Sequence, residues 1–347
     1  MAKSIFEFVT AKAQTAVWNM NVKDRAPYLG ETIFPNKKKL GLDLKWIKGS
    51  KGLPVVLDPS AFDVPAKLGT RIKFDEVSAQ MPFFKKSKSI NEETRQLLNI
   101  ALETNNDAYI TSLTEMVFDD NMSLLEGASA QRERMRMMAL TTGVVAIEAN
   151  GQKYNFDYKI PAGHKKTAAA SWATTTTDII KDILDWQQII EDDTGTKPTR
   201  AVCNRKTFSY IMANEGIRKS IYPANNGIGL ITETVIKDFI FQATGIDVVI
   251  YTKKYIDEAG ATKQYIADDT FVMFPEGSLG NTWFGTTPEE SDLRTSKVAN
   301  VDITDTGVAV TTIQKADPVT VETKVSMICL PSFERADQVL IADVTPW

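Results

Sequence analysis

Two Asp-Thr-Gly triplets are the residues of this sequence that could most directly do chemistry. They lie at Asp193-Thr194-Gly195 and at Asp305-Thr306-Gly307. Two carboxyl groups held side by side can share one proton and activate a water molecule, as an acid hydrolase requires. That chemistry needs each triplet on a loop directly after a buried strand.

Neither triplet has this context. Asp193 follows a helical pattern, and Gly195 has the position of a glycine that ends a helix. Asp305 lies between two short apolar runs, which predicts the turn of a β-hairpin. We therefore predict no catalytic residues, and a hydrolase that uses Asp193 and Asp305 is kept only as an alternative function.

The scarcity of histidine and cysteine argues against metal and redox chemistry. The chain has one histidine, His164, and two cysteines, Cys203 and Cys329, which are far apart in the sequence. These residues cannot form a His-rich metal site, a zinc ribbon or a Cys-x-x-Cys pair. We expect His164 to lie at the surface and both cysteines to be core thiols, with no cofactor and no metal.

Composition and charge indicate a folded chain without a membrane span. Of the 347 residues, 43% are hydrophobic, and 40 basic side chains against 44 acidic ones give a net charge of −4. That sign argues against a dedicated duplex-binding protein. No apolar run reaches the about 18 residues that a membrane span requires. Glu7, Thr10 and Lys12 interrupt the apolar character of the N-terminus, so we expect no signal peptide and folding in a cytoplasm.

The first twenty residues predict an amphipathic helix. Its apolar stripe is expected to comprise Ile5, Phe8, Val9, Ala13, Ala16, Val17 and Met20. Phe6 and Trp18 lie off this stripe, so more than one side of the helix needs apolar cover. The helix could pack on its own domain or lie as an arm across a neighbouring copy of the chain, and the pattern leaves both open.

Residues 21–84 contain many prolines and predict short strands instead of a long helix. Apolar residues alternate with polar ones over 40–47, which is the period of a half-buried strand. The expected inward-facing residues of this strand are Leu40, Leu42, Leu44 and Trp46. A segment so poor in continuous apolar runs can hardly form its own core. We expect an extended excursion that needs a partner surface.

A proline-free stretch follows and predicts two helices, 91–104 and 106–142. The second would be about 55 Å long at 1.5 Å per residue. Near its end Arg132, Arg134 and Arg136 alternate with Glu133 and methionines. We expect a solvated helix face with intrahelical ion pairs here, in preference to a basic patch.

The remaining sequence predicts hairpins, a linker and an α/β region. Asn150-Gly151 separates two strand-like runs and predicts a tight hairpin turn. The Ala- and Thr-rich stretch 167–177 is expected to be a linker at a domain boundary. Helical and strand-like patterns alternate over 176–275, and 298–344 predicts strands.

Several short motifs follow one another in a fixed order along the chain. They are Thr32-Ile33-Phe34-Pro35, the run 43–56, Ile72-Lys73-Phe74, Met81-Pro82-Phe83 and Leu330-Pro331-Ser332-Phe333 before Val339-Leu340. Together with the order of the elements, they resemble the lambda-type major head proteins of tailed phages, the capsid protein E family. That family has the Hong Kong 97 phage capsid fold.

The resemblance implies an α+β chain with four parts. These are an N-terminal arm (1–35), an extended loop or β-hairpin (36–83), a peripheral domain (84–170 and 291–347) with the spine helix 106–142, and an axial α/β domain (171–290).

The resemblance also implies a function without catalysis. The chain would be the major capsid (head) protein of a tailed double-stranded DNA bacteriophage. It would self-assemble through a procapsid into hexamers and pentamers of an icosahedral shell that encloses the genome. The residues expected at contacts between subunits are Phe6, Trp18, Trp46, Ile47, Lys48, Gly49, Lys51, Gly52, Leu53, Val55 and Phe62.

The expected partners follow from this function. They are further copies of the chain, a separate scaffolding protein, a portal, a decoration protein as an additional candidate, and packaged DNA contacted non-specifically, with no membrane. The expected location is the virion capsid, assembled in the host bacterial cytoplasm. An encapsulin-like nanocompartment shell, which shares the fold but encloses protein cargo, is the first alternative.

Overall fold

The computed structural model describes residues 10–21, 26–48, 75–90, 92–104, 107–149, 151–223, 229–294, 299–317 and 319–346. The helices in these ranges are α1 (Ala11–Asn21), α2 (Leu29–Ile33), α3 (Glu92–Glu103), α4 (Asp107–Thr142), α5 (Ile179–Thr194), α6 (Arg205–Ala213), α7 (Glu215–Ile221) and α8 (Glu233–Thr244). Among the described helices, none is long and apolar enough to cross a membrane.

The strands are short in the first half of the chain and longest near its end. They are β1 (Asn36–Lys38), β2 (Asp43–Lys48), β3 (Asp75–Gln80), β4 (Phe83–Ser89), β5 (Val144–Ala149), β6 (Gln152–Asp157), β7 (Lys165–Thr167), β8 (Arg200–Cys203), β9 (Asp247–Ile250), β10 (Lys254–Ile256), β11 (Thr262–Gln264), β12 (Thr270–Phe274), β13 (Thr282–Phe284), β14 (Ala299–Thr304), β15 (Val308–Ala316), β16 (Val319–Pro331) and β17 (Leu340–Asp343).

The chain forms two compact units, each assembled from separate segments. Unit 1 comprises Met1–Leu44, Ser78–Met135 and Asn281–Ser332, and unit 2 comprises Lys45–Val77, Arg136–Gly280 and Phe333–Trp347. These limits differ from the expected domain limits at 170/171 and 290/291. β17 pairs with β7 and β12, which places the end of the chain and β7 in unit 2. β13 pairs with β16, which places the residues from Asn281 onward in unit 1.

Unit 1 is built on a six-stranded sheet. Its order is β1-β13-β16-β15-β14, and β4 pairs with β16 beside β13. All pairs are antiparallel except β1 with β13, where Asn36 lies opposite Thr282. Val310 faces Val325 across β15 and β16, and both side chains are buried. Apolar cross-strand pairs of this kind supply much of a sheet's stability.

The predicted strand 40–47 begins later than the alternation indicates. β2 starts at Asp43, and Leu40 and Leu42 are 83% and 43% exposed, whereas Leu44 and Trp46 are buried. Gly41 has a φ of +87°, which takes the chain through a turn before the strand begins. Only the second half of the predicted apolar face therefore faces inward.

The predicted long helix is confirmed. α4 has 36 residues and runs from Asp107 to Thr142. It ends at Gly143, which has a φ of +74°, and a Cβ at this position would lie 2.7 Å from Ile160 Cδ1. Glycine meets both requirements, the left-handed backbone and the close approach. The strands β5 and β6 follow as the predicted hairpin around residues 150–151.

Unit 2 is built on a five-stranded mixed sheet in the order β7-β17-β12-β8-β9. The outer pairs β7–β17 and β8–β9 are parallel, and β12 is antiparallel to both of its neighbours. Buried residues of α5, α6 and α8 pack with this sheet in one core. The predicted role of Gly195 is confirmed, because Gly195 ends α5 with a φ of +67°, and Asp178 caps the start of the same helix.

The stretch 167–177 is not the expected linker. Trp172 within it is fully buried and stacks on Trp186 of α5, with the two ring centroids 5.6 Å apart. Its indole Nε1 donates a hydrogen bond of 2.9 Å to Asp182. The small, polar composition of the stretch hides one aromatic residue that fixes it to the core of unit 2.

Candidate assembly surface

The N-terminal helix α1 packs on the sheet of its own unit through polar contacts. Gln14 Nε2 donates to Thr323 Oγ1 at 3.1 Å, and the hydroxyl of Thr15 donates to Asp302. The hydroxyl of Thr304 donates to Asn19 Oδ1 at 3.1 Å. Of the two alternatives that the sequence leaves open, the described part of the helix therefore shows packing on its own subunit.

The face that α1 buries is not the predicted apolar stripe. Gln14, Thr15 and Trp18 are buried, whereas Ala16 is exposed and Met20 of the expected stripe is 71% exposed. The hydrophobic periodicity does not indicate this face, because the face is largely polar. Its residues Gln14 and Thr15 form hydrogen bonds with residues 309 and 287 positions away in the sequence. Trp18 is buried by its own chain, and its expected contact with a neighbouring subunit stays a prediction.

Asp305 is the residue that joins α1 to the long helix. Its Oδ1 accepts a 3.2 Å hydrogen bond from Trp18 Nε1, and its Oδ2 accepts a 2.7 Å bond from Arg132 Nη2. Asp305 and Thr306 form the predicted hairpin turn between β14 and β15, with φ values of +47° and +75°. Non-glycine residues with such φ values are strained, and a β-branched threonine more than most.

Arg132 is buried, and so are Glu133 and Arg136, which corrects the expected solvated arginine face. The guanidinium of Arg132 lies 5.7 Å from the centre of the Phe284 ring and also donates to Ser129 Oγ at 2.7 Å. Buried charges need partners of this kind. The partner of Arg132 is 173 positions away in the sequence, so a pattern local to the helix could not reveal it.

Trp46 lies at the base of the paired strands β2 and β3, within unit 2. Its ring centre is 5.5 Å from that of Phe156 and 6.1 Å from that of Tyr158. Tyr158 also meets Phe333 at 5.7 Å, and its burial raises the pKa of its hydroxyl well above the usual value. Trp46 is therefore buried in its own subunit, and its expected contact with a neighbouring subunit also stays a prediction.

The other expected contact residues lie at the end of β2 or outside the described residues. Ile47 and Lys48 are the last two residues of β2. Those that lie outside the described residues are Phe6, Gly49, Lys51, Gly52, Leu53, Val55 and Phe62. β2 and β3, which come before and after residues 49–74 in the sequence, pair with each other.

A second ion pair joins the middle of β16 in unit 1 to Glu289. Lys324 Nζ lies 2.7 Å from Glu289 Oε1, and the two side chains are 22% and 6% exposed. Burial raises the pKa of the Glu289 carboxyl, but hydrogen bonds from Lys324, from Ser326 and from its own backbone together lower that pKa below its usual value. The Glu289 carboxylate therefore stays ionised at neutral pH, and its pair with Lys324 holds the helical turn Glu289–Leu293 to the sheet.

The two Asp-Thr-Gly carboxyl groups have different partners. Asp193 Oδ2 lies 3.0 Å from His164 Nε2, whereas both oxygens of Asp305 are occupied by Trp18 and Arg132. The described partners of each carboxyl group are therefore not carboxyl groups, as a proton-sharing pair would require. His164 is 1% exposed, so the expectation of a surface histidine is wrong.

The cysteines behave as expected, since Cys203 and Cys329 are both free and buried in strands. Burial raises the pKa of the Cys203 thiol to about 12, which makes it unreactive at neutral pH. In the ranges that the structure describes, no group of three or more His, Cys, Asp or Glu side chains could hold a metal ion.

Large apolar side chains remain exposed on each unit. On unit 1, Leu40, Ile100 and Met116 are 83%, 55% and 48% exposed. On unit 2, Leu230 and Phe241 are 92% and 56% exposed. Apolar side chains exposed singly are common on folded proteins, so these residues do not by themselves mark an interface.

Comparisons with known proteins relate this chain to others by sequence family and by structure. Residues 10–344 match the sequence model of the phage major capsid protein E family. The chain is similar in structure to a putative capsid protein of a prophage from E. coli CFT073, with 15% identity, a TM-score of 0.60, and coverage of 97% of this chain and 99% of that one. It is also similar to a phage-related protein from Bordetella bronchiseptica RB50, with 11% identity, a TM-score of 0.53 and coverage of 95% and 96%.

A third structural relative comes from an assembled particle. The capsid asymmetric unit of cyanophage A-1(L) has 10% identity and a TM-score of 0.53, with coverage of 92% of both chains. No curated protein sequence matches the chain. The fold is the Hong Kong 97 phage capsid fold, as the resemblance implied. With a family match that spans both units and all but the ends of the sequence, this chain belongs to the phage major capsid protein E family.

Proposed function

We propose that copies of this phage major capsid protein assemble into hexamers and pentamers of an icosahedral shell that encloses double-stranded DNA. The observation that carries the proposal is the family match over residues 10–344, which includes both units and the segment between β2 and β3.

The segment between β2 and β3 is proposed to lie over a neighbouring subunit. Residues 49–74 lie between two strands that pair with each other, so the segment can be long without disturbing the fold that carries it. Trp46 holds the base of these strands to Phe156 and Tyr158 of its own subunit. The residues beyond Trp46, from Ile47 to Phe62, stay proposed contacts with the neighbour.

The charge of the chain supports DNA as the contents of the shell. A net charge of −4 leaves the packaged polymer without a strongly basic lining that would hold it by counterion release. We propose non-specific contacts with DNA, and separate scaffolding, portal and decoration proteins as further partners. Assembly is proposed to take place in the host bacterial cytoplasm, and the structural role to need no catalysis.

Deleting residues 50–73 and joining the ends by a short Gly-Ser turn tests the proposal. The variant should stay soluble with an unchanged circular dichroism spectrum but form no closed particles by electron microscopy. A matched control shortens the β10–β11 hairpin at Ala259-Gly260 and should still form shells. Normal particles from the 50–73 deletion would refute the proposed contact.

The contents of the particles separate the phage shell from an encapsulin-like compartment. Particles from infected or induced cells should protect double-stranded DNA from nuclease. Particles that carry a defined protein cargo and no DNA would favour the nanocompartment alternative instead.

A further inference from the structure

The contact between α1 and the sheet of unit 1 differs from a normal core contact. The residues that α1 buries are Ala11, Gln14, Thr15 and Trp18, at 0%, 1%, 3% and 2% exposure. Trp18 is the only large apolar side chain among them. A helix of 11 residues is marginal in water on its own, so its conformation depends on this docking.

Besides the burial of Trp18, the described contacts of this docking are hydrogen bonds that water can replace. Gln14, Thr15 and Trp18 each bond a polar side chain of the sheet or of the β14–β15 turn. When such a contact opens, both partners bond water, so each hydrogen bond adds little net stability. The strands beneath are joined instead by long ladders and by fully buried residues such as Val308 and Val310.

Asp305 has one permanent partner and one replaceable partner. Arg132 Nη2 bonds Asp305 Oδ2 from a buried position on the long helix, where Ser129 and Phe284 also hold its guanidinium. Trp18 bonds the other oxygen of Asp305 from α1. Replacing Trp18 leaves the Arg132–Asp305 ion pair in place. Replacing Arg132 would remove the group that orients the Asp305 carboxylate.

The strained turn at Asp305 and Thr306 supports the distinction between a permanent and a replaceable partner of Asp305. Asp305 and Thr306 keep positive φ values that glycine or asparagine would adopt more readily. Such strain persists where the surrounding contacts determine the conformation, and here those contacts are made by the Asp305 carboxylate. We propose that α1 is a separately opening element, held on its own subunit by a clasp in which Asp305 joins Trp18 to Arg132.

The clasp is a property of the single subunit and does not depend on the proposed shell. It lets α1 leave the sheet while the six strands and the long helix stay folded. If the shell forms as proposed, α1 can then change its contacts during assembly without unfolding the subunit that carries it.

Hydrogen exchange of the unassembled, full-length subunit tests the clasp. In the unaltered protein at low denaturant, amides of α1 should exchange at least about tenfold faster than those of β15 and β16. Trp18→Ala should speed exchange in α1 by at least a further tenfold and leave β15 and β16 unchanged. Trp18→Phe, which keeps the ring and removes the Nε1 donor, should have a smaller effect in the same direction.

Met20→Ala is the matched control, because Met20 lies on the same helix and is 71% exposed. It should change exchange in α1 by less than about twofold. The proposal is overturned if α1 and β16 exchange with one common rate in the unaltered protein. It is equally overturned if Trp18→Ala changes α1 no more than Met20→Ala does.

Discussion

Replacing Asp305 by Asn should destabilise unit 1 more than removing its buried partner, Arg132. Asparagine keeps the size, the tolerance for positive φ and one acceptor oxygen, so the substitution mainly removes the charge. Arg132 is 2% exposed and would keep its charge in a buried site, with Ser129 as its other described hydrogen-bond partner.

The magnitude follows from the burial of the two groups. Breaking a fully buried ion pair costs about 3–5 kcal/mol. Here the Asp305 side chain is 19% exposed and asparagine can still accept a hydrogen bond, so we expect about 2–3 kcal/mol. At roughly 2–4 °C per kcal/mol, the unfolding temperature should fall by about 4–12 °C.

Arg132→Met should cost less, about 1 kcal/mol, because it leaves no buried charge and the freed carboxylate can bind water. The double variant should then be about as stable as Arg132→Met alone, which is a coupling of about 2–3 kcal/mol. Urea unfolding of the unassembled subunits, followed by tryptophan fluorescence, measures all four proteins. Additive losses, or a larger loss for Arg132→Met than for Asp305→Asn, would show that the ion pair is not what Asp305 contributes.

Two further predictions concern pH and backbone geometry. The pKa of Glu289 is lowered in the fold from an ordinary value of 4.5, so its pair with Lys324 stabilises the fold above about pH 4.5 and this contribution is lost as the pH falls through the folded pKa. Glu289→Gln should therefore reduce the loss of stability between pH 6 and pH 3 in acid titrations, and an unchanged loss would contradict the role of the pair. Gly143→Ala should cost about 2–3 kcal/mol in thermal unfolding, because φ is +74° and the new Cβ would lie 2.7 Å from Ile160 Cδ1. Gly163→Ala, where a Cβ would meet nothing within 4 Å, should change stability by less than about 0.5 kcal/mol, and equal effects would refute the argument.

The sequence predicts those elements whose signal is local. The long helix, the hairpin around 150–151 and the glycine that ends α5 follow from periodicity, turn residues and caps within a few positions of each other. The capsid fold itself follows from the order of these elements and the short motifs between them. These features were predictable because each is fixed by residues that are neighbours in the chain.

The clasp was not predictable from the sequence, because its partners are distant and polar. Trp18 and Asp305 are 287 positions apart, and the hydrophobic pattern of α1 indicates a different face. Arg132 lies in a run of alternating charges that is typical of an exposed helix, and only the fold supplies the aspartate that allows its burial. Trp172 was missed for a related reason, since one buried aromatic residue does not change the composition of its stretch.

The parallel pairing of the first strand with a late one has a consequence for the timing of folding. β1 ends at Lys38, and its partner β13 begins at Thr282. In unit 2, β7 pairs with β17, which is made only when translation reaches Leu340–Asp343. At roughly 5–20 residues per second, translation takes about 12–50 s to pass from β1 to β13. Neither sheet can be completed on the ribosome before most of the chain exists. Translation therefore delays completion of both sheets until most of the chain has been made. In the proposed shell, only full-length subunits have both sheets complete.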